Sequence, residues 1–222
     1  MPKPLIIAID GPSGAGKGTI ARTLADALRY RHIDTGAMYR AVAWKALHDR
    51  IPLDDESALA ALATRANVAV EGGRASIDGH DVTQQIRTPE IDKAASLVAR
   101  MPRVRETLVA RQRGMAEQGG IVMEGRDIGT VVFPNADLKI HLDASAEERA
   151  RRRMNDPAHS GGQAGQAAVA ASIEARDRSD TTRTASPLTM AADAVLIDTT
   201  GMPIAQVVDR VMALVRERIT DP

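Results

Sequence analysis

The chain has 222 residues, no cysteine, and a formal net charge of +0 from 29 acidic and 29 basic side chains. Disulfides and thiolate-held metals are excluded, and a reducing compartment, the cytoplasm, is the expected location. Electroneutrality argues against a dedicated nucleic-acid binder, no apolar run approaches the ~20 residues that cross a bilayer, and residues 1–10 lack the order of a signal peptide.

Leu5–Ile9 is a continuous apolar run ending at Gly11, which predicts a buried central parallel strand. Helical spacing of Ile20, Leu24 and Leu28 predicts a helix over Lys17–Arg29. A short strand at Arg31–Asp34 and a helix from about Ala37 to Asp49 follow. Residues 53–100 break this rhythm. Val68–Glu71 and Ala75–Asp78 flank Gly72-Gly73 as a hairpin, Asp78-Gly79 marks a second turn, and a helix near Pro89–Arg100 closes the insert. Pro102 begins another helix. Strands are expected at Ile121–Glu124, Asp137–Leu142 and Ala194–Asp198, with helices at Ala146–Met154 and Pro203–Ile219. Gly129 opens a segment expected to be extended as far as Phe133-Pro134. The Gly-rich stretch within residues 155–171 is expected to be a mobile lid segment. Strands alternating with helices predict an α/β fold with a mostly parallel sheet.

Gly11-Pro12-Ser13-Gly14-Ala15-Gly16-Lys17 matches GxxxxGK between a strand and a helix, the context a phosphate-binding loop requires. Its glycines let backbone N–H groups converge on phosphate oxygens, and the helix adds its positive end. Lys17 has the reach to meet the β- and γ-phosphates. Gly18 stands where Ser or Thr usually ligates magnesium, and Thr19 follows. No dedicated protein metal site is expected: the ion is held by ATP oxygens and water, with Thr19 nearby. None of the five histidines forms HExxH.

Asp34-Thr35-Gly36-Ala37-Met38-Tyr39-Arg40 and Glu124-Gly125-Arg126-Asp127 both end strands, at the edge that lines the ligand crevice of an α/β sheet. Thr35 is expected as the N-cap of its helix. Arg40 and Arg105 put cations near helix starts, where only an anion partner would favour them. Seven arginines (149, 151, 152, 153, 176, 178 and 183) lie interleaved with acids beyond Glu147. Arginines flanking a glycine-rich segment fit a lid that surrounds a transferring phosphoryl group.

Together, GPSGAGKGT at 11–19, DTGAMYR at 34–40, EGRDIGTVVFPNAD at 124–137 and RDRSD…R at 176–183 resemble the bacterial cytidylate kinase family over nearly the whole chain. The resemblance implies a P-loop NTPase three-layer fold with a five-stranded parallel sheet. It implies a core of about residues 1–52, 101–148 and 184–222, an acceptor-binding insert at 53–100 and a small lid at 149–180. The implied activity moves the γ-phosphate of ATP, with Mg²⁺, to CMP or dCMP, in a monomer. By this resemblance Gly11 to Thr19 bind ATP phosphates, with Arg153 drawn from the Arg151–Arg153 group. Arg40, Arg126 and Arg183 hold the CMP phosphate. Ser96, Arg105 and Asp127 face cytosine, Arg176 and Asp180 contact the ribose, and Thr35 lies beside the acceptor. Lys17, Arg126 and Arg183 are the catalytic set.

Three rivals are weighed against this. A GTPase needs a guanine-reading NKxD stretch, and none occurs. An RNA binder needs aromatics to stack on bases, and the chain has one Trp, two Tyr and one Phe. A P-loop kinase for UMP, AMP or shikimate is the nearest alternative.

Overall fold

The computed structural model describes residues 4–156 and 165–220. In chain order its elements are β1 (Ile6–Asp10), α1 (Lys17–Leu28), β2 (Arg31–Asp34), α2 (Thr35–His48), α3 (Glu56–Arg65), β3 (Val68–Glu71), β4 (Arg74–Ile77) and β5 (His80–Asp81). Then come α4 (Pro89–Val98), α5 (Pro102–Gly114), β6 (Ile121–Gly125), β7 (Leu138–Asp143), α6 (Ala146–Met154), α7 (Gln166–Thr182), β8 (Val195–Asp198) and α8 (Ile204–Thr220).

Five strands form one parallel sheet in the order β2-β6-β1-β7-β8. Alternate residues of β1 serve opposite layers, as the two-residue period of a strand dictates. Ala8 packs with α2, α3 and the insert, whereas Ile7 and Ile9 pack with α1 and α8. The chain leaves β1 for the β2 edge and later crosses to β7 and β8 on the other side. A crevice therefore opens at the carboxyl end of β1, the usual ligand position in such sheets.

The insert is an antiparallel sheet, β3-β4-β5, bracketed by α3 and α4. Gly72 and Gly73 take φ of 58° and 82°, which suits the tight turn that pairs Glu71 with Arg74. Val68, Val70, Ala75 and Ile77 face inward and join the core beside α2.

Gly11 has φ of 147°, and a Cβ there would lie 2.0 Å from the Leu142 carbonyl oxygen. Gly11→Ala is therefore expected to cost about 2–3 kcal/mol or more, read as a lowered melting temperature together with lost ATP binding.

Three local expectations are corrected. Asp34, not Thr35, caps α2, accepting the Ala37 N–H at 3.0 Å. An earlier helix start also moves Arg40 into the second turn, from where it reaches back to Asp34. Residues Ile128–Val132 form a wide helical turn rather than an extended segment. The buried Asp10 carboxylate causes this by taking the Ile128 and Gly129 N–H groups at 2.8 and 2.7 Å, while the Asp127 carbonyl accepts from Val131 and Val132. Finally, residues 166–171 open helix α7 instead of continuing a loop, since alanines there favour helix. Gly161 and Gly162 of the expected lid lie outside the described residues. Among the described residues no helix is long and apolar enough to cross a membrane.

Candidate active site

The crevice is a cleft of about 760 Å³. Ser13 to Thr19 line one side of it, and Thr35, Arg40, Ser96, Arg105, Arg126, Asp127, Arg176, Asp180 and Arg183 also contribute. Its described walls carry eleven basic side chains and six acidic ones. A chain with no net charge thus concentrates an excess of five cations in one cavity, which is suited to polyanions.

Gly11 and Pro12 do not line the cleft. Gly11 lets the loop pass beneath Leu142, and the Pro12 carbonyl accepts from Lys17 Nζ at 2.7 Å. Lys17 is buried, and burial, with Arg126 adding repulsion, pushes its pKa down to about 7. Such an ammonium gains from any anion brought beside it.

Opposite the loop the charges form a chain. Arg126 donates through Nε to Asp180 at 2.8 Å rather than pairing with its neighbour Asp127. Asp127 instead pairs with Arg105, and Arg183 stands 3.6 Å from both Asp127 and Asp180. Arg105 lies 5.4 Å over the Tyr39 ring. Burial works against the Arg105 charge, yet Tyr39 and Asp127 hold its pKa above the ordinary arginine value. For Asp180 burial opposes ionisation, but Arg126 and Arg176 outweigh it and the pKa falls. In Arg176 and Arg183 burial wins and the pKa is lowered. Burial also pushes the Tyr39 phenol up to about 12, keeping it neutral.

Arg40 Nε, Arg105 Nε, Arg183 Nη2 and the Tyr39 hydroxyl are buried and have no hydrogen-bond partner among the described residues. Buried donors in folded proteins are seldom left so, and four in one half of a cleft point to a polar ligand there. Arg40 otherwise pairs with Asp34 at 2.7 Å. The Thr35 hydroxyl donates to the Glu124 carbonyl at 2.7 Å, joining α2 to the end of β6.

The lid arginines divide in an unexpected way. Arg153 pairs with Asp92 of α4, as does Arg176 at 3.2 Å, so it faces that helix and not the glycine-rich loop. Arg152 approaches the phosphate loop: its Nη1 lies 3.4 Å from the Ala15 carbonyl oxygen and donates to Thr199 at 2.9 Å. Arg178 points to solvent beside Glu174.

Glu124 went without a role in the sequence. It is buried, with Oε1 3.0 Å from His32 Nε2 and 3.2 Å from the point a Cβ on Gly18 would occupy. A carboxylate therefore fills the space of the absent Ser or Thr. Its place at the carboxyl end of a strand was the available signal. Arg149, Arg152 and Asp177 were visible only as members of a charged run, whose facing depends on how α6 and α7 pack.

A glycine-lined phosphate loop facing a second, arginine-walled pocket across one cleft defines a P-loop kinase. The chain belongs to the cytidylate kinase family: the family profile described as "Cytidylate kinase" matches residues 7–217. It is 50% identical to "Cytidylate kinase" of Desulfitobacterium hafniense (strain Y51) over 99% of this chain and 96% of that one. It is 54% identical to "Cytidylate kinase" of Pelotomaculum thermopropionicum over 94% of this chain and 95% of the relative. A gluconokinase structure from Sinorhizobium meliloti 1021 superposes with TM-score 0.54 at 14% identity, covering 100% of this chain and 97% of that one, a likeness of fold.

Proposed function

We propose that this chain transfers the γ-phosphate of ATP to CMP or dCMP, giving ADP and CDP or dCDP. The observation that carries the reading is the shared cleft, in which Lys17, Arg40, Arg126 and Arg183 surround space for two anions. Membership of the cytidylate kinase family supports the choice of acceptor.

In this reading Gly14 to Thr19, Lys17 among them, hold the donor phosphates, and within the Arg151–Arg153 group Arg152 rather than Arg153 is nearest the loop. An oxygen of the acceptor phosphate, already anionic near neutral pH, attacks the γ-phosphorus. The bond to the β,γ-bridging oxygen breaks and ADP leaves. No general base is needed. Lys17, Arg126 and Arg183 stabilise the charge on the transferring oxygens, and their donors are oriented before reaction. Among the described residues no cluster of three His, Cys, Asp or Glu side chains is placed to hold a metal alone. The residues nearest the usual ion position, Thr19 and Glu124, nonetheless suit Mg²⁺, which takes oxygen ligands and keeps several waters. When bound, the ion neutralises phosphate charge.

Asp127 and Ser96 are assigned to the cytosine N4 amino group, Arg105 to the ring acceptors, and Arg176 with Asp180 to the ribose. Thr35 lies beside the acceptor. The core of residues 1–52, 101–148 and 184–222, the insert at 53–100 and the lid at 149–180 are the working divisions. A monomer is the oligomeric state assigned in this reading. The lack of cysteine supports action in the cytoplasm.

A coupled assay of ADP formation with CMP, dCMP, UMP, AMP and shikimate tests the reading. Turnover with CMP and dCMP is expected to exceed the others, and a preference for AMP or shikimate refutes it. Asp180→Ala removes the partner of Arg126 and a ribose contact. It is expected to weaken CMP binding about ten-fold or more and ATP binding far less, as separate titrations would read.

A further inference from the structure

One carboxylate ties the loop on the donor side to the helix on the acceptor side. Asp177 of α7 accepts the Ser13 N–H through Oδ1 at 3.1 Å, and its Oδ2 pairs with Arg149 of α6. The same guanidinium donates from Nη1 to the Ser13 carbonyl and from Nε to the Ala144 carbonyl, both at 3.0 Å. Gly14 then packs against Arg149 so closely that a Cβ would sit 2.9 Å from its carbonyl oxygen. Both polar groups of the Ser13 backbone are thus occupied by α6 and α7. The nest open to phosphate begins at Gly14, not Ser13.

The Arg149–Asp177 pair is poorly explained by stability alone. Its side chains are 12% and 17% exposed, so much of the attraction offsets desolvation. Its location is the informative part. Asp177 follows Arg176 and precedes Asp180 by three residues, so one stretch of α7 carries both the tether to the donor loop and the acceptor contacts assigned above. In-line transfer depends on the separation between those two halves, and an error near 1 Å costs about 10²-fold in rate.

We infer that Asp177 is a positioning residue: with Arg149 it fixes α7 against the phosphate loop, so that the acceptor lies in line with the γ-phosphate. This rests on the phosphoryl-transfer reading above. Asp177 does not line the cleft, and it acts through Ser13 and Arg149.

The test compares wild type with Asp177→Ala, Asp177→Asn and Glu174→Ala. Glu174 is an exposed residue of the same helix, 72% accessible, and its loss perturbs α7 without touching the tether. Three quantities are read: kcat with ATP and CMP, the separate dissociation constants of ADP and CMP, and affinity for a bisubstrate analogue joining cytidine to adenosine through five phosphates. Asp177→Ala is expected to lower kcat by about 30-fold or more and analogue affinity by at least about ten-fold, with each single nucleotide within about three-fold of wild type. Asp177→Asn keeps an acceptor for the Ser13 N–H and should fall between the two. Glu174→Ala should match wild type throughout. Should Asp177→Ala fail to fold, Asp177→Asn and Arg149→Lys carry the comparison, with smaller losses in the same two quantities. A kcat within three-fold of wild type, or a loss confined to CMP affinity, overturns the inference. Wild-type inactivity toward CMP would instead sink the functional reading itself.

Discussion

Lys17→Ala is expected to lower kcat by about 10²–10³-fold while the protein stays folded. The ammonium bonds the Pro12 carbonyl, and it is buried at the wall of a cation-rich cleft. Burial lowers its pKa from 10.5 to about 7. Between those values the unfolded chain keeps a proton that the folded one has released, so this group makes stability rise as pH increases from about 7 towards 10.5. Below about 7 its charge carries the full desolvation cost. The alanine variant lacks that cost. Its melting temperature relative to wild type should be most favourable near pH 6, and the advantage should fade towards pH 10. Binding of ATP places anionic oxygens beside the amine and recharges it. Wild type should therefore take up protons on binding ATP at pH 8, which calorimetry in buffers of different ionisation heat detects, and the variant should not. Near wild-type turnover in the variant would contradict the mechanism.

The phosphate loop was legible in the sequence because its chemistry is local. Strand, glycines, lysine and helix are contiguous, and of the expected Gly11 to Thr19 the structure brings Ser13 to Thr19 to the cleft. The parallel sheet was legible for a similar reason: β1 and β6 are apolar without alternation, as strands covered on both faces must be. The hairpin at Gly72-Gly73 was written in its turn residues. What could not be read was pairing between distant segments. Arg126 chooses Asp180 over the adjacent Asp127, a choice made by the approach of α7 to β6. Arg153 turns to Asp92 of α4, and no periodicity within α6 distinguishes it from Arg152. The turn at Ile128–Val132 was missed because its cause, Asp10, lies more than a hundred residues earlier in the chain. Glu124 and Asp177 share this character. Each was visible as a residue, but its role depends on what a separate element brings beside it.

Asp127 offers the sharpest test of base selection, because one carboxylate is assigned two tasks. It neutralises Arg105, stands 3.6 Å from Arg183, and is assigned to accept from the cytosine N4 amino group. Asp127→Ala strips the shared anion from two buried guanidinium groups. That is expected to destabilise the fold by about 3–5 kcal/mol, and CMP affinity should fall with it. Loss of stability alone would prove little about recognition, so Asp127→Asn is the more telling change. The amide keeps the shape and one accepting oxygen for Arg105, but it also presents an N–H₂ group. Uracil carries an acceptor at position 4 where cytosine carries a donor. The variant should therefore lose activity with CMP and gain it with UMP, and the ratio of kcat/KM between them should fall by about 10²-fold. The KM for ATP should hardly move, since Asp127 is assigned to the acceptor and not to the donor phosphates. Steady-state rates with CMP and UMP at saturating ATP read the result. An unchanged CMP-to-UMP ratio in the asparagine variant would remove Asp127 from base recognition and leave it only the task of holding Arg105 and Arg183.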